Sequence, residues 1–259
     1  MKLDIITEHD KKYWQYEYDV VAKYILPLLK DWGIKLSGAS MLDVGCGDGG
    51  GVSALYDAGF ICKGFDIEPR RVELANLMRG ERKFEMVPGN IYEESFPYLE
   101  EKFDLIVLHD VFEHLEQKEL VLEKLKSCLL THGKILITFP PYYSAFGAHQ
   151  QLLNSKLGRV PFFHLLPFAI SYFIDTFPGE HKFFVEEIKK LSKIKMGITK
   201  FENIIRESGL KIFVKKKYIV SPNHIRFGLE PVGAGILGEI PVIKELITSG
   251  VVYLLTKNI

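Results

Sequence analysis

The chain has 259 residues, with 33 basic against 33 acidic side chains and 47% hydrophobic content. Such a length fits one α/β domain with an insertion, and the composition excludes disordered, collagen-like and coiled-coil chains. A formal net charge of zero argues against a dedicated nucleic-acid binder, which needs surplus cations to neutralise phosphates.

Residues 13–32 carry a mixed helical period and predict one or two leading helices, ended by Gly33, so that residues 1–38 precede the first strand. Met41–Val44 is a short apolar run entering a glycine cluster, the pattern of a buried strand turning into a helix. A helix over Gly51–Ala58, a strand over Ile61–Asp66, a helix over Pro69–Arg79 and a strand over Phe84–Val87 follow. Phe103–Leu108 predicts a fourth strand, Lys118–Leu130 a helix, and Lys134–Phe139 a fifth strand stopped by Pro140 and Pro141. Thr199 is the expected cap of a helix over Lys200–Ser208, with Gly209 as its stop. Lys211–Val220 and Val251–Thr256 are the last two strands, separated by a Gly/Pro-punctuated connection with a short helix near Val242–Thr248. Near-continuous apolar strands alternating with helices predict an α/β fold, a doubly wound, seven-stranded, mostly parallel sheet in a single domain.

Residues 140–198 stand apart as an insertion. They hold 11 of the chain's 32 aromatic residues, and between Pro141 and Glu180 only Lys156, Arg159, Asp175 and Glu180 carry charge. A solvated loop has no use for such a composition, so this stretch is expected to fold as a lid over something apolar. The uncharged run Val160–Ile174 is 15 residues, short of the roughly 20 needed to span hydrocarbon. It is read first as a buried lid element and second as a shallow, peripheral membrane contact. Cys46, Cys62 and Cys128 show no C-x-x-C spacing, and no apolar signal core opens the chain. A reducing cytoplasm suits both features.

The sharpest local signal is Asp43-Val-Gly45-Cys-Gly47-Asp-Gly49-Gly50-Gly51. Glycines at a strand-to-helix turn let the main chain approach a ligand. The spacing Gly45-x-Gly47-x-x-Gly50 also satisfies a dinucleotide fingerprint, which alone is weak. Two acids shift the choice: Asp43 lies inside the strand, where a pyrophosphate site needs no charge, and Asp66 ends the next strand, where it can accept from two ribose hydroxyls. An acid near an ammonium and another on a ribose suit an adenosyl amino acid.

At these residues the chain resembles the class I S-adenosylmethionine (SAM)-dependent methyltransferases of the small-molecule branch, which have a Rossmann-like fold. L-D-V-G-C-G-D-G at 42–49 is similar to their first motif, G-F-D-I-E-P at 64–69 to the second, and F-D-L-I-V-L-H-D-V-F-E-H-L at 103–115 to the fourth-strand motif. The resemblance implies that SAM is the cofactor, with Gly45, Cys46, Gly47 and Gly49 lining its methionine part and Asp43 near its ammonium. It further implies Asp66 on the ribose, Ile67 against the adenine, and His109 and Asp110 beneath the sulfonium. The family often shows Gly-Asp after the third strand; here it is Gly89-Asn90 followed by Ile91. An Asn oxygen still accepts from an adenine amino group, but without charge assistance.

The acceptor is expected to be a small, largely apolar or lipid-linked molecule, methylated on oxygen by in-line displacement. His149, in the run leaving strand five, is the leading base candidate, and His181 its rival. Tyr142 and Tyr143 are candidate orienting groups, and Tyr13 and Tyr16 on the leading helix candidate pocket-closing ones. No grouped acids of the magnesium-dependent catechol type follow strand four, so no metal is expected. Pro140-Pro141-Tyr142 superficially resembles the Asn/Asp-Pro-Pro-Tyr motif of adenine-N6 methyltransferases but follows the fifth strand, so DNA is rejected as a substrate. Two other readings are carried: a SAM-binding or partner-binding protein without transfer activity, and a dinucleotide-dependent oxidoreductase, against which Asp43 counts.

Overall fold

The computed structural model describes residues 6–166 and 182–258, with side chains of the second stretch described from residue 185. Its centre is an eight-stranded sheet: β1 (Ser40–Val44), β2 (Ile61–Asp66), β3 (Glu85–Pro88), β4 (Phe103–His109), β5 (Leu129–Phe139), β6 (Leu210–Val220), β7 (Val232–Gly233) and β8 (Gly250–Lys257). The strand order is β3-β2-β1-β4-β5-β8-β6-β7. The first five run parallel, and β8 is antiparallel to both β5 and β6. Chain order reverses direction at β1, which pairs with β2 on one side and β4 on the other. The crevice beyond the carboxyl ends of these strands is where open α/β sheets bind ligands.

Successive strand residues feed opposite cores, which is why these strands read as unbroken apolar runs. Leu42, Ile106 and Leu108 pack with α5 (Lys118–Ser127) and α7 (Ile198–Glu207) on one face. Met41, Leu105 and Val107 pack on the other with α2 (Leu26–Asp31), α3 (Gly50–Asp57) and α4 (Pro69–Met78). The leading helix α1 (Glu8–Val20) begins five residues before Tyr13 because Thr7 and Asp10 form a reciprocal cap, with bonds of 3.1 and 2.8 Å. A wider turn over Val21–Ile25 joins it to α2. Pro27, which has no N–H to offer the carbonyl one turn back, accounts for the irregularity.

Four departures from expectation have local causes. β5 starts at Leu129, ahead of the expected Lys134, because a register irregularity between Phe103 and Leu105 lets the pairing continue past Gly133. The eighth strand is a two-residue edge ribbon on Tyr218 and Val220, too short to leave a period in sequence. α7 starts at Ile198 and not after a Thr199 cap: the Glu245 carboxylate accepts from the Ile198 and Thr199 N–H groups at 2.8 and 2.7 Å. Finally, the insertion contains α6 (Lys182–Ile194), whose Val185, Ile188 and Leu191 pack with Tyr142, Ala148 and Leu153 into a third, smaller core. The short helix α8 spans Ile243–Ile247. Among the described residues no helix is long and apolar enough to cross a membrane; residues 167–174 of the uncharged run lie outside them.

Candidate active site

Between β1 and α3 the chain turns through Gly45, Gly47 and Gly49, all at positive φ, where a side chain other than glycine's is strained. Space is short as well: a Cβ at Gly45 would lie 2.5 Å from Val111 Cγ2. The turn is held from below by β2, with Phe65 O accepting from the N–H groups of Gly45 and Cys46 at 2.9 and 3.1 Å. Asp66 Oδ2 accepts from Gly47 N and Oδ1 from Glu68 N, both at 2.9 Å. The second acid therefore braces the glycine loop directly, and each of its oxygens keeps a further lone pair for a ligand hydroxyl.

Asp43 is buried under this loop, and its Oδ1 has no hydrogen-bond partner among the described residues. Burial first and Asp66 second push its pKa up to about 7. Sequence reasoning missed a companion, Glu17 of α1, whose Oε1 would sit 3.3 Å from a Cβ on Gly47. Glu17 Oε2 is likewise buried without a partner among the described residues. Burial and the neighbouring Asp48 raise its pKa to about 8, against the opposing pull of Arg71. Glu17, Asp43, Gly45 and Cys46 line one pocket together with His109. Orphaned buried carboxyls at a glycine loop suit a cationic ligand carrying ammonium and sulfonium groups, and fit poorly with an anionic pyrophosphate.

These two acids make a pH prediction. Their folded pKa values lie above the unfolded ones, so the folded protein binds more protons than the unfolded chain between pH ~4 and ~8. Their stabilising contribution is complete below pH ~4 and is lost as pH rises through 7 to 8. The groups facing them are Asp66 for Asp43, and Tyr13, Asp48, Arg71 and Asp43 for Glu17. The ligand-free protein should melt roughly 5 °C or more lower at pH 8.5 than at pH 6. Added SAM should recover more of that stability at pH 8.5 than at pH 6. Thermal melts at the two pH values, with and without SAM, check both statements.

The floor of the crevice is the end of β4. Thr138 Oγ1 on β5 is 2.8 Å from His109 Nδ1, 3.1 Å from Asp110 N and 2.9 Å from Asp110 Oδ1. One hydroxyl has one proton, which goes to the carboxylate, so His109 Nδ1–H donates to Thr138 and its Nε2 carries the lone pair. Asp110 Oδ2 accepts in turn from Asn223 Nδ2, and Asp110 itself sits at φ 54. His109, Asp110, Thr138 and Asn223 line a second pocket. Tyr16 closes this side, its hydroxyl donating to Asn223 O at 3.2 Å. Tyr13 stands beside Glu17 and Arg71; the charge of Glu17, then burial, hold its hydroxyl well above the ordinary tyrosine range. Both leading-helix tyrosines therefore stand beside residues that line the crevice, Glu17 for Tyr13 and Asn223 for Tyr16.

Ile67, expected against the adenine, is exposed just after β2. Asn90 Oδ1 accepts from Tyr92 N at 3.0 Å, so its first task is to close its own turn. The Ile91 side chain is buried with Phe65 and Phe96. Cys46 is buried, which pushes its thiol pKa up.

On the acceptor side, His149 lies on the loop after β5 at φ 54. Its ring stacks on His114, 5.2 Å between centroids, and its Nε2 is 3.3 Å from that of His114. The buried Glu113 lies beneath both rings. Burial alone would raise the Glu113 pKa; the two imidazoles outweigh it and hold the group near 2. Conversely, burial would lower His114, but Glu113 and Glu187 raise it to about 10. Tyr142, a candidate orienting group, is buried in the third, smaller core, edge-on to Tyr143 and His164. Tyr143 is partly exposed. His181 lies outside the described residues.

With this geometry, comparisons with known proteins become informative. A family model described as "Methyltransferase domain" matches residues 13–169, more than half of the chain. Ajmaline N-methyltransferase of Rauvolfia serpentina is 32% identical over 128 residues, 47% of this chain and 42% of that protein. Phosphoethanolamine N-methyltransferase 2 of Caenorhabditis elegans is 25% identical over 140 residues, 53% of this chain and 32% of that protein. The match thus spans less than half the length of these two relatives. Among solved structures, the plantazolicin methyltransferase BpumL in complex with SAH aligns with a TM-score of 0.58 at 16% identity, covering 99% of this chain and 90% of that one. Magnesium protoporphyrin IX methyltransferase (ChlM) from Synechocystis PCC 6803, with bound SAH, gives 0.55 at 15% identity, covering 93% and 83%. Identities this low establish the shared fold alone, while the matched family model, the glycine loop and the paired acids establish kinship: the chain belongs to the class I SAM-dependent methyltransferases.

Proposed function

We propose that this chain transfers a methyl group from SAM to an oxygen of a small, largely apolar acceptor held under the lid. The observation that carries the reading is the pair of buried, unpartnered carboxyl oxygens, Asp43 Oδ1 and Glu17 Oε2, set around a glycine turn whose N–H groups are already engaged. When bound, SAM supplies a methyl carbon on an excellent leaving group, so the protein's work is alignment, exclusion of water and handling of the acceptor proton. Asp66 and the glycine turn hold the adenosyl part, Asp43 and Glu17 balance the positive charge, and Tyr13 and Tyr16 close α1 over it. Oxygen is favoured over nitrogen because the acceptor side carries the His114–His149 pair over a buried carboxylate, and a hydroxyl needs help losing its proton where a neutral amine does not. An apolar acceptor body is favoured because the insertion is aromatic-rich and nearly uncharged.

Incubation with SAM labelled on the methyl group and a panel of phenolic and prenylated or acyl-linked alcohols should move label into the organic phase, one SAH formed per methyl. Mass spectrometry of the product separates ether or ester from amine. Label transferred only to amines would overturn the oxygen assignment, and SAH formation with no acceptor in any class would overturn the transferase reading. An Asp66→Ala variant should bind SAM at least tenfold more weakly by calorimetry, because the ribose hydroxyls and the Gly47 N–H lose one shared acceptor. Unchanged affinity would remove Asp66 from the site.

A further inference from the structure

The residues after β4 and β5 hold a cluster that the cofactor cradle does not use. Glu113 is 2% exposed, and neither of its carboxylate oxygens has a hydrogen-bond partner among the described residues. A buried carboxylate left this way is costly unless something cationic completes it. Two imidazole nitrogens face it: His114 Nε2 at 3.4 Å and His149 Nε2 at 3.7 Å from Oε1. The same two nitrogens are 3.3 Å from one another. We infer that Glu113, His114 and His149 form a binding site for one zinc ion per chain.

Three distances support the assignment together. Donor atoms at tetrahedral zinc bond lengths of 2.0–2.2 Å must lie roughly 3.3–3.6 Å apart. The edges of this triangle, 3.3, 3.4 and 3.7 Å, match that spacing without any backbone shift. Two imidazoles and one carboxylate are also a donor set that suits zinc and leaves its fourth position open. Beyond the triangle, His114 Nδ1 lies 2.5 Å from Glu187 Oε1 on α6. That bond places a proton on Nδ1, the arrangement that orients metal-bound histidines, so an incoming ion has only the Nε2 proton of His114 to displace. One adjustment is needed: the rings are 8° from parallel, so a shared ion requires one of them to turn about its Cβ–Cγ bond, a broad and soft torsion.

Glu113 and His114 sit on the short turn Phe112–His114 after β4, and His149 on the loop after β5, so the site ties the acceptor loop to the sheet. Its open position takes water or an oxygen of the acceptor, a role that rests on the transferase reading, whereas ion binding itself does not. Sequence spacing conceals the site, because the third ligand comes 35 residues after the second.

The full chain, stripped with a chelator, is titrated with zinc chloride by calorimetry and with cobalt chloride by visible absorption. Saturable uptake of one ion per chain with the absorption of tetrahedral cobalt is expected. His149→Ala should lower zinc affinity about 100-fold or more, and Glu187→Gln about 10- to 100-fold, as lost outer partners do. SAM affinity, measured on the same samples, should be retained and reports that the variants are folded. If His114→Ala fails to fold, His149→Ala on the loop still decides the matter. Absence of saturable binding by either ion, or unchanged zinc affinity in folded His149→Ala, would overturn the site. Failed zinc binding with intact SAM binding leaves the transferase reading standing, and failed SAM binding with intact zinc binding does the reverse.

Discussion

Asp43→Asn is expected to make the ligand-free protein more stable and the cofactor site nearly useless. The carboxyl is buried beside Asp66, and its pKa of about 7 means that ionising it in the folded state works against the fold. Removing that charge with an isosteric amide should stabilise the protein at pH 8 by on the order of 2–4 kcal/mol. The same change deprives a bound ammonium of its buried counter-charge, and losing one member of such a pair weakens binding by roughly 30-fold or more. Opposite signs for stability and affinity are the signature of a residue kept for its ligand. Denaturant melts and calorimetry on one preparation measure both, and the fall of melting temperature between pH 6 and 8.5 should shrink in this variant. A destabilised variant with normal SAM affinity would mean that Asp43 only supports the loop.

Gly50→Ala should be the most damaging single methyl addition in the cofactor half. A Cβ there would lie 2.2 Å from the Trp14 carbonyl oxygen and 2.8 Å from Glu17 Cβ. Helix α1 rests on α3 at this point, and backbone cannot yield without lifting the helix. We expect a loss of roughly 1–3 kcal/mol from the forced separation. SAM affinity should fall as well, since Tyr13 and Glu17 move with α1. Gly51→Ala is the control: its Cβ would meet only Val21 Cγ2, at 3.3 Å, and alanine is the better helix former by about 1 kcal/mol. The neighbouring substitution should therefore be close to neutral in melting temperature and SAM binding. Equal effects at the two positions would show that α1 does not close the site through this contact.

The parallel core and the cofactor loop were legible because each is written in contiguous residues. Ile61–Asp66 and the apolar core of Phe103–His109 announce themselves by composition, Asp43 by a charge inside an apolar strand, and Gly45, Gly47 and Asp66 by their place where strands end. What stayed hidden depends on tertiary placement. Glu17 reads as an ordinary helix acid until α1 is laid across Gly47 and Gly50. Thr138 and Asn223 are unremarkable until they are seen to fix the His109 tautomer through Asp110. The cap of α7 comes from Glu245, 46 residues beyond Thr199, so the polar residue at the helix start drew the wrong inference. In the insertion, the aromatic surplus suggested a lid folded over something apolar, and Tyr142 with Val185, Ile188 and Leu191 builds a small core of the insertion's own. His149 was picked out as the leading base candidate by its position after strand five, and its neighbours Glu113 and His114 come from the turn after strand four.

On the proposed function, the crevice over β1 and β2 is a cradle for a cationic adenosyl ligand. Calorimetric titration of the full chain with SAM, at pH 6.5 in two buffers of different ionisation enthalpy, tests it most directly. One SAM per chain should bind, with protons released to the buffer as Asp43 (about 7) and Glu17 (about 8) ionise against the incoming charge. Binding without proton release would contradict the roles given to these carboxyls, and a crevice that took NAD but not SAM would contradict the account as a whole.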